Sequence, residues 1–118
     1  MSKWQPKKRA RVLAKTNGRC AYCGVVLGET YHIDHIRSVD EHRTNGEWLW
    51  DREHNLHAAC RDCNLYKSNL SLDDFRKKIE AAHSRMLKHS AYRAMLRYGV
   101  APPEGPVVFY FETIEDGY

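Results

Sequence analysis

The 118-residue sequence has no apolar run approaching about 18 residues, which excludes a membrane-spanning helix as its organising element. The basic N-terminus has no apolar stretch behind it. It therefore does not read as a secretory signal, and a cytoplasmic setting is the expectation. Internal repeats and low-complexity tracts are missing. So is the His-Glu-x-x-His of zinc proteases, and so is the His/Cys-x-Glu with Pro-Cys-x-x-Cys that a zinc nucleobase deaminase needs. Acids are absent from residues 1–19, which hold seven Lys or Arg, and bases are absent from residues 101–118, which hold four acids. Cysteine is scarce: four residues, all in two Cys-x-x-Cys pairs.

What is present suits one small globular domain with a modest core. Hydrophobic residues make up 42% and charged residues 29%, too apolar for a disordered chain. The formal net charge of +4 understates the asymmetry, because the bases concentrate at one end. Lys7, Lys8, Arg9, Arg11 and Lys15 are candidate contacts to a polyanion such as nucleic acid. Charge alone supports a solvated helix equally well.

The pattern indicates an α+β fold. Pro6 fits a first helical turn, so Lys7 to Lys15 reads as a short basic helix stopped by Thr16-Asn17-Gly18, with Val12 and Leu13 toward a core. Cys20 to Gly24 is a tight knuckle. Thr30 to Ile36 and Leu56 to Ala59 read as strands, and Arg61 to about Ser68 as a helix. Residues 37–54 form a long polar loop carrying Trp48, Leu49 and Trp50, a length that usually signals function. Ser71 with Asp74 resembles a capping box. A helix follows from Leu72 on the apolar positions Phe75, Ile79, Ala82, Met86 and Leu87. Another runs to Tyr98 with Gly99 as its cap. Residues 102–106 are a stiff connector, and Val107 to Phe111 is an apolar strand candidate, able to pair at an edge.

Cys20-x-x-Cys23 and Cys60-x-x-Cys63 match the demand of tetrahedral zinc, with two thiolates from each of two knuckles. The 36 residues between the pairs mean that a whole motif is held between them. Two disulfides or four unrelated core thiols are the alternatives, and a reducing compartment disfavours the first. Four thiolates fill the coordination sphere, so this zinc is structural.

Between and just after the pairs lie His32-Ile33-Asp34-His35-Ile36, Asn55-Leu56, Asn64 and Lys67. Phosphodiester hydrolysis needs a hard cation, a base for a water, and charge for the transition state. Asp34 and Asn64 offer oxygen ligands suited to Mg²⁺ or Mn²⁺, and His35 offers a base near neutral pH. Adjacent strand residues point to opposite sides, so a strand end or a bulge is expected at Asp34-His35.

The succession of Cys-x-x-Cys, His-x-Asp-His-Ile, Asn-Leu and Cys-x-x-Cys-Asn-x-x-Lys, over about residues 9–70, resembles the HNH endonuclease family. The resemblance implies a ββα-metal core lying along the minor groove of double-stranded DNA, and products with 5′-phosphate and 3′-hydroxyl ends. It makes His35 the general base, Asn55 the residue that orients that imidazole and fixes the loop, and Asp34 and Asn64 the ligands of the catalytic cation. Lys67 then holds a phosphate or sits solvated, and His32 assists the metal, contacts phosphate or is structural. His42, His54, His57, His83 and His89 match no motif position, with His57 on the Asn55 side of its strand. No DNA-reading module is apparent, so low sequence specificity is expected. One active site nicks one strand; a double-strand break needs a homodimer or a second visit. Residues 71–118 buttress the site, form a dimer face, or complete the core.

A zinc-stabilised nucleic-acid-binding module explains the cysteines and the basic head, but not Asp34, His35, Asn55 and Asn64 together. An assembly accessory, for instance of a viral packaging machine in its host cell, remains a further alternative, active only with a partner protein.

Overall fold

The computed structural model describes residues 4–37, 51–101 and 105–114. The segment 38–50, with Trp48, Leu49, Trp50 and His42, lies outside the described residues, as do Lys3 and most of the 102–106 connector. The chain divides into two compact units, Met1–Leu72 with Val108–Tyr118, and Asp73–Val107. The class is α+β, as the pattern indicates.

In the first unit, α1 spans Pro6–Lys15 with its proline in the first turn, where the missing N–H costs no hydrogen bond. Thr16-Asn17-Gly18 ends it. Gly18 N–H returns to the Leu13 carbonyl at 3.1 Å, and the Thr16 hydroxyl donates to the Arg19 carbonyl at 2.7 Å. The cysteine knuckle follows. Cys20 N–H donates to Val25 and Gly24 N–H to Cys20, and an isolated antiparallel bridge joins Arg19 to Val26. Gly24 sits at φ +80°, and a Cβ there would lie 3.3 Å from the Tyr110 ring, so both backbone and space call for glycine.

Two strands form the sheet, β1 (His32–His35) and β2 (Leu56–Ala59), paired antiparallel with His32 opposite Ala59 and His35 opposite Leu56. Alternation gives the sheet two unlike faces. Ile33, Leu56 and Ala58 face the apolar core with Val12 of α1, joined by Trp4, Leu13, Leu27 and Tyr31. Full burial of Val12 and Leu56 contributes roughly 1.5–3 kcal/mol each. Asp34 and His57, opposite each other in the register, share the other face. A 3₁₀ turn at Glu53–Asn55 feeds β2. Helix α2 (Arg61–Lys67) starts directly after Cys60, whose sulfur accepts from Cys63 N–H and so serves as its cap.

The bases of α1 staple it to this unit. Lys15 Nζ donates to the Glu53 and Leu56 carbonyls at 2.7 and 2.6 Å, and Lys8 Nζ to the Asp51 carbonyl at 2.7 Å. Arg9 lies over the Tyr31 ring and donates to the Tyr31 carbonyl, while Arg11 pairs with Glu53 at 2.6 Å. Lys7 is exposed.

Val107 to Phe111 is not a strand. Residues 105–109 are irregular and Tyr110–Thr113 is a 3₁₀ turn. The backbone donors go to the knuckle instead, Tyr110 N–H to the Tyr22 carbonyl at 3.0 Å and Phe111 N–H to Ala21 at 2.8 Å. The apolarity of this run reflects aromatic packing, with Phe109 and Phe111 both edge-on to Tyr22.

The second unit is helical. Helix α3 (Leu72–Met86) begins at the unit boundary, and α4 (Ser90–Arg97) follows His89. Gly99 at φ +74° closes α4 in a Schellman pattern, with Val100 N–H donating to the Met95 carbonyl. The rings of His83 and Tyr92 meet edge to face, and Arg76 donates to the Val107 carbonyl.

Candidate active site and metal clip

The two knuckles bring Cys20, Cys23, Cys60 and Cys63 together, with all four sulfurs within 4.8 Å of one another. All are free thiols, and Cys23 and Cys60 stand 3.8 Å apart, well beyond a disulfide bond of about 2.05 Å. Zinc–sulfur bonds of about 2.3 Å place tetrahedral sulfurs about 3.8 Å apart, so the cluster fits such an ion. The charges fit as well. The hydrogen bond from Cys63 pulls the Cys20 thiol down to about 4, and the same bond pushes Cys63 up. Four thiols this close cannot all ionise without a cation among them. The cluster is suited to a metal ion of the structural zinc type, for which four thiolates would fill the coordination sphere.

The α2 face of the sheet carries a buried polar chain. Lys67, fully buried, donates from Nζ to Asp34 Oδ1 at 3.3 Å and to the His35 carbonyl at 3.0 Å, and its ammonium pairs with Asp34 Oδ2 at 3.1 Å. The Tyr22 hydroxyl donates to Asp34 Oδ2, and His57 Nδ1 lies 3.0 Å from that hydroxyl. Burial raises the Asp34 carboxyl above its usual range, opposed by the Lys67 charge and the Tyr22 bond. Burial also drops His57 to about 3, helped by the charges of Lys15 and Lys67, so its ring is neutral. Lys67 thus does not stand in solvent. Its place on the inner side of α2 aims it at β1, where it neutralises Asp34.

His35 lies on the α1 face. Its Nε2 is 3.0 Å from Asp51 Oδ1, and its ring contacts Trp4 with centroids 5.6 Å apart. The register of β1 runs unbroken through Asp34, with no bulge; the strand simply ends at His35. Asn55, buried, clamps the chain just beyond. Its Oδ1 accepts from Arg37 N–H at 2.9 Å, its Nδ2 donates to the Arg37 carbonyl at 3.1 Å, and its own carbonyl accepts from Ile36 N–H at 2.8 Å. Asn64 is half-buried in the first turn of α2, one turn before Lys67. His32 is exposed at the start of β1. His54 and His89 are exposed, and His83 packs on Tyr92.

Sequence reasoning passed over Tyr22 and Asp51. Tyr22 had a visible signal, its place between two clip cysteines, whereas Asp51 is 16 residues from His35 and had none.

A two-stranded sheet with a helix packed beside it, closed by a four-cysteine cluster suited to a metal ion, defines a small ββα domain. Residues 20–70 match the model of the HNH endonuclease family. The match runs from the first clip cysteine to just beyond α2, leaving α1 and the second unit outside it. No curated protein and no solved structure matches the chain. Among the described residues no helix is long and apolar enough to cross a membrane.

Proposed function

We propose that this protein is a metal-dependent endonuclease that hydrolyses phosphodiester bonds of double-stranded DNA inside the cell, nicking with low sequence specificity. The observation that supports this best is His35, held by Asp51 at 3.0 Å at the end of a strand within an HNH match. Asp34 and Asn64 supply the oxygen donors for Mg²⁺ or Mn²⁺, which when bound stabilises charge on the phosphate and the leaving oxygen. A neutral imidazole has one N–H. The Asp51 carboxylate takes it at Nε2, so the lone pair that accepts a proton from water lies on Nδ1. Asp51 then stabilises the imidazolium that forms. Asn55 holds the backbone just after His35, and Lys67 joins the Asp34 carboxylate to the His35 carbonyl, keeping the two neighbours in register. A single site cuts one strand, so a double-strand break requires a second copy or a partner protein.

A second reading, an accessory with little activity alone, draws on Asp34, which is only 5% exposed and ion-paired. Nicking of supercoiled plasmid by the zinc-loaded protein, with and without added Mn²⁺ or Mg²⁺, separates the two. The nuclease reading expects cation-dependent nicking that falls by about 10²–10⁴-fold in His35→Ala, with zinc content unchanged. A variant that cuts at the unmodified rate removes His35 from the mechanism. A folded, zinc-bound protein that nicks under no condition favours the accessory.

A further inference from the structure

The side chain between the two cysteines of the first knuckle reaches the carboxylate that the nuclease reading makes a cation ligand. We propose that Tyr22, backed by His57, is a positioning residue for Asp34, so that closure of the cysteine clip also sets the carboxylate of the neighbouring reaction site. The inference rests on the nuclease reading and goes beyond it, because it couples the structural metal to the catalytic one through a single hydroxyl.

A tyrosine hydroxyl carries one proton. It goes to Asp34 Oδ2, the charged acceptor, so the 3.0 Å contact to His57 requires that His57 Nδ1 bear a proton and donate it to the Tyr22 oxygen. The tautomer of His57 follows from this. Each ring is walled in. Tyr22 is 3% exposed and His57 not at all, Tyr22 meets Phe109 at 5.4 Å, and His57 lies against Phe111 at 4.6 Å. The knuckle is also tied to β2 by Ala21 N–H donating to the Ala58 carbonyl at 2.9 Å. Tyr22 therefore has little freedom to turn away.

The consequence falls on Asp34. Oδ2 accepts from Tyr22 and Oδ1 accepts from Lys67 at 3.3 Å, while Nζ also lies 3.1 Å from Oδ2. The two partners together fix the plane of the carboxylate, and each oxygen keeps a lone pair beyond its one hydrogen bond. Without the Tyr22 hydroxyl that plane is held by Lys67 alone, and the lone pairs that face a cation are no longer fixed in direction.

The test is Mn²⁺ binding to the zinc-loaded full chain, followed by electron paramagnetic resonance with no nucleic acid present. Tyr22→Phe keeps the ring packing and removes one proton donor. Mn²⁺ affinity is expected to fall by about tenfold, the usual effect of removing a group that holds a ligand. Zinc content should stay at the unmodified level. His57→Leu should weaken Mn²⁺ likewise, and His57→Asn, which keeps an N–H near the Nδ1 position, should restore it. Unchanged Mn²⁺ affinity in Tyr22→Phe overturns the proposal, as does a wild-type chain that binds no Mn²⁺. Should Tyr22→Phe lose its zinc, the His57 pair decides: Leu weakened and Asn restored supports the proposal, and equal affinities overturn it. Plasmid nicking is read separately. Its absence overturns the nuclease reading, while the loss of Mn²⁺ affinity in Tyr22→Phe would still establish the positioning role.

Discussion

The two faces of the small sheet solve opposite problems with neighbouring residues. On the α1 face His35 ends β1 beside the half-exposed carboxylate of Asp51, and its ring contacts Trp4. On the α2 face Asp34 is sealed in with Lys67, Tyr22 and His57. A single residue step along β1 separates an imidazole near solvent from a carboxylate in low dielectric. The difference shows why a strand suits this pair. Alternation gives each group its own environment without a bend in the chain, and the one ammonium of Lys67 ties them together from below.

The largest contrast should come from Lys67→Met. Removing the ammonium leaves Asp34 buried without its counter-charge, an expected loss of about 3–5 kcal/mol in urea unfolding of the zinc-loaded protein. Asp34 escapes the penalty by taking a proton, so the loss should be greatest at alkaline pH and shrink on acidification. A loss below about 1 kcal/mol would place this pair in the range of exposed ones and erase the contrast between the faces.

Acidification probes the same face more gently. His57 has a folded-state value of about 3, below its ordinary 6.5. As pH falls through about 6.5 the unfolded chain takes up a proton that the folded one refuses until far lower, so stability present above that pH is lost below it. The slope approaches about 1.4 kcal/mol per pH unit. Asp34, shifted upward, has the opposite sign and offsets part of the loss at lower pH. Urea midpoints from about pH 7.5 to 5.5 should fall in the wild type and fall less in His57→Asn; parallel curves would mean that His57 is not held neutral.

The smallest effect belongs to the open face. Asp51→Asn should slow nicking on the order of tenfold while leaving the urea midpoint unchanged, because Asp51 is half in solvent. An unchanged rate would detach Asp51 from His35.

Local signals made most of the fold legible. Leu56 to Ala59 and the helix after Cys60 have the bounds that the sequence suggested, because turn residues and the clip mark their ends. The four-cysteine cluster was legible for the same reason, two short spacings that chemistry restricts. Val107 to Phe111 misled, since apolarity reports burial and not the partner, and here the partner is the knuckle. The contacts of Lys67, Tyr22 and Asp51 join residues 33, 12 and 16 positions from their partners, and no local pattern announces them. The bases of α1 show the limit of counting charge. At least four of them donate hydrogen bonds within the unit, which a count of charges does not announce.

The first unit is assembled from two stretches of chain, Met1–Leu72 and Val108–Tyr118, with the helical unit inserted between them. During synthesis the clip can close once Cys63 has left the ribosome, but Phe109 and Phe111 arrive some forty-five residues later. The four cysteines can therefore come together while the aromatic cover over Tyr22 and His57 is still missing. Translation past the helical insert becomes the step that completes the wall around Tyr22 and His57.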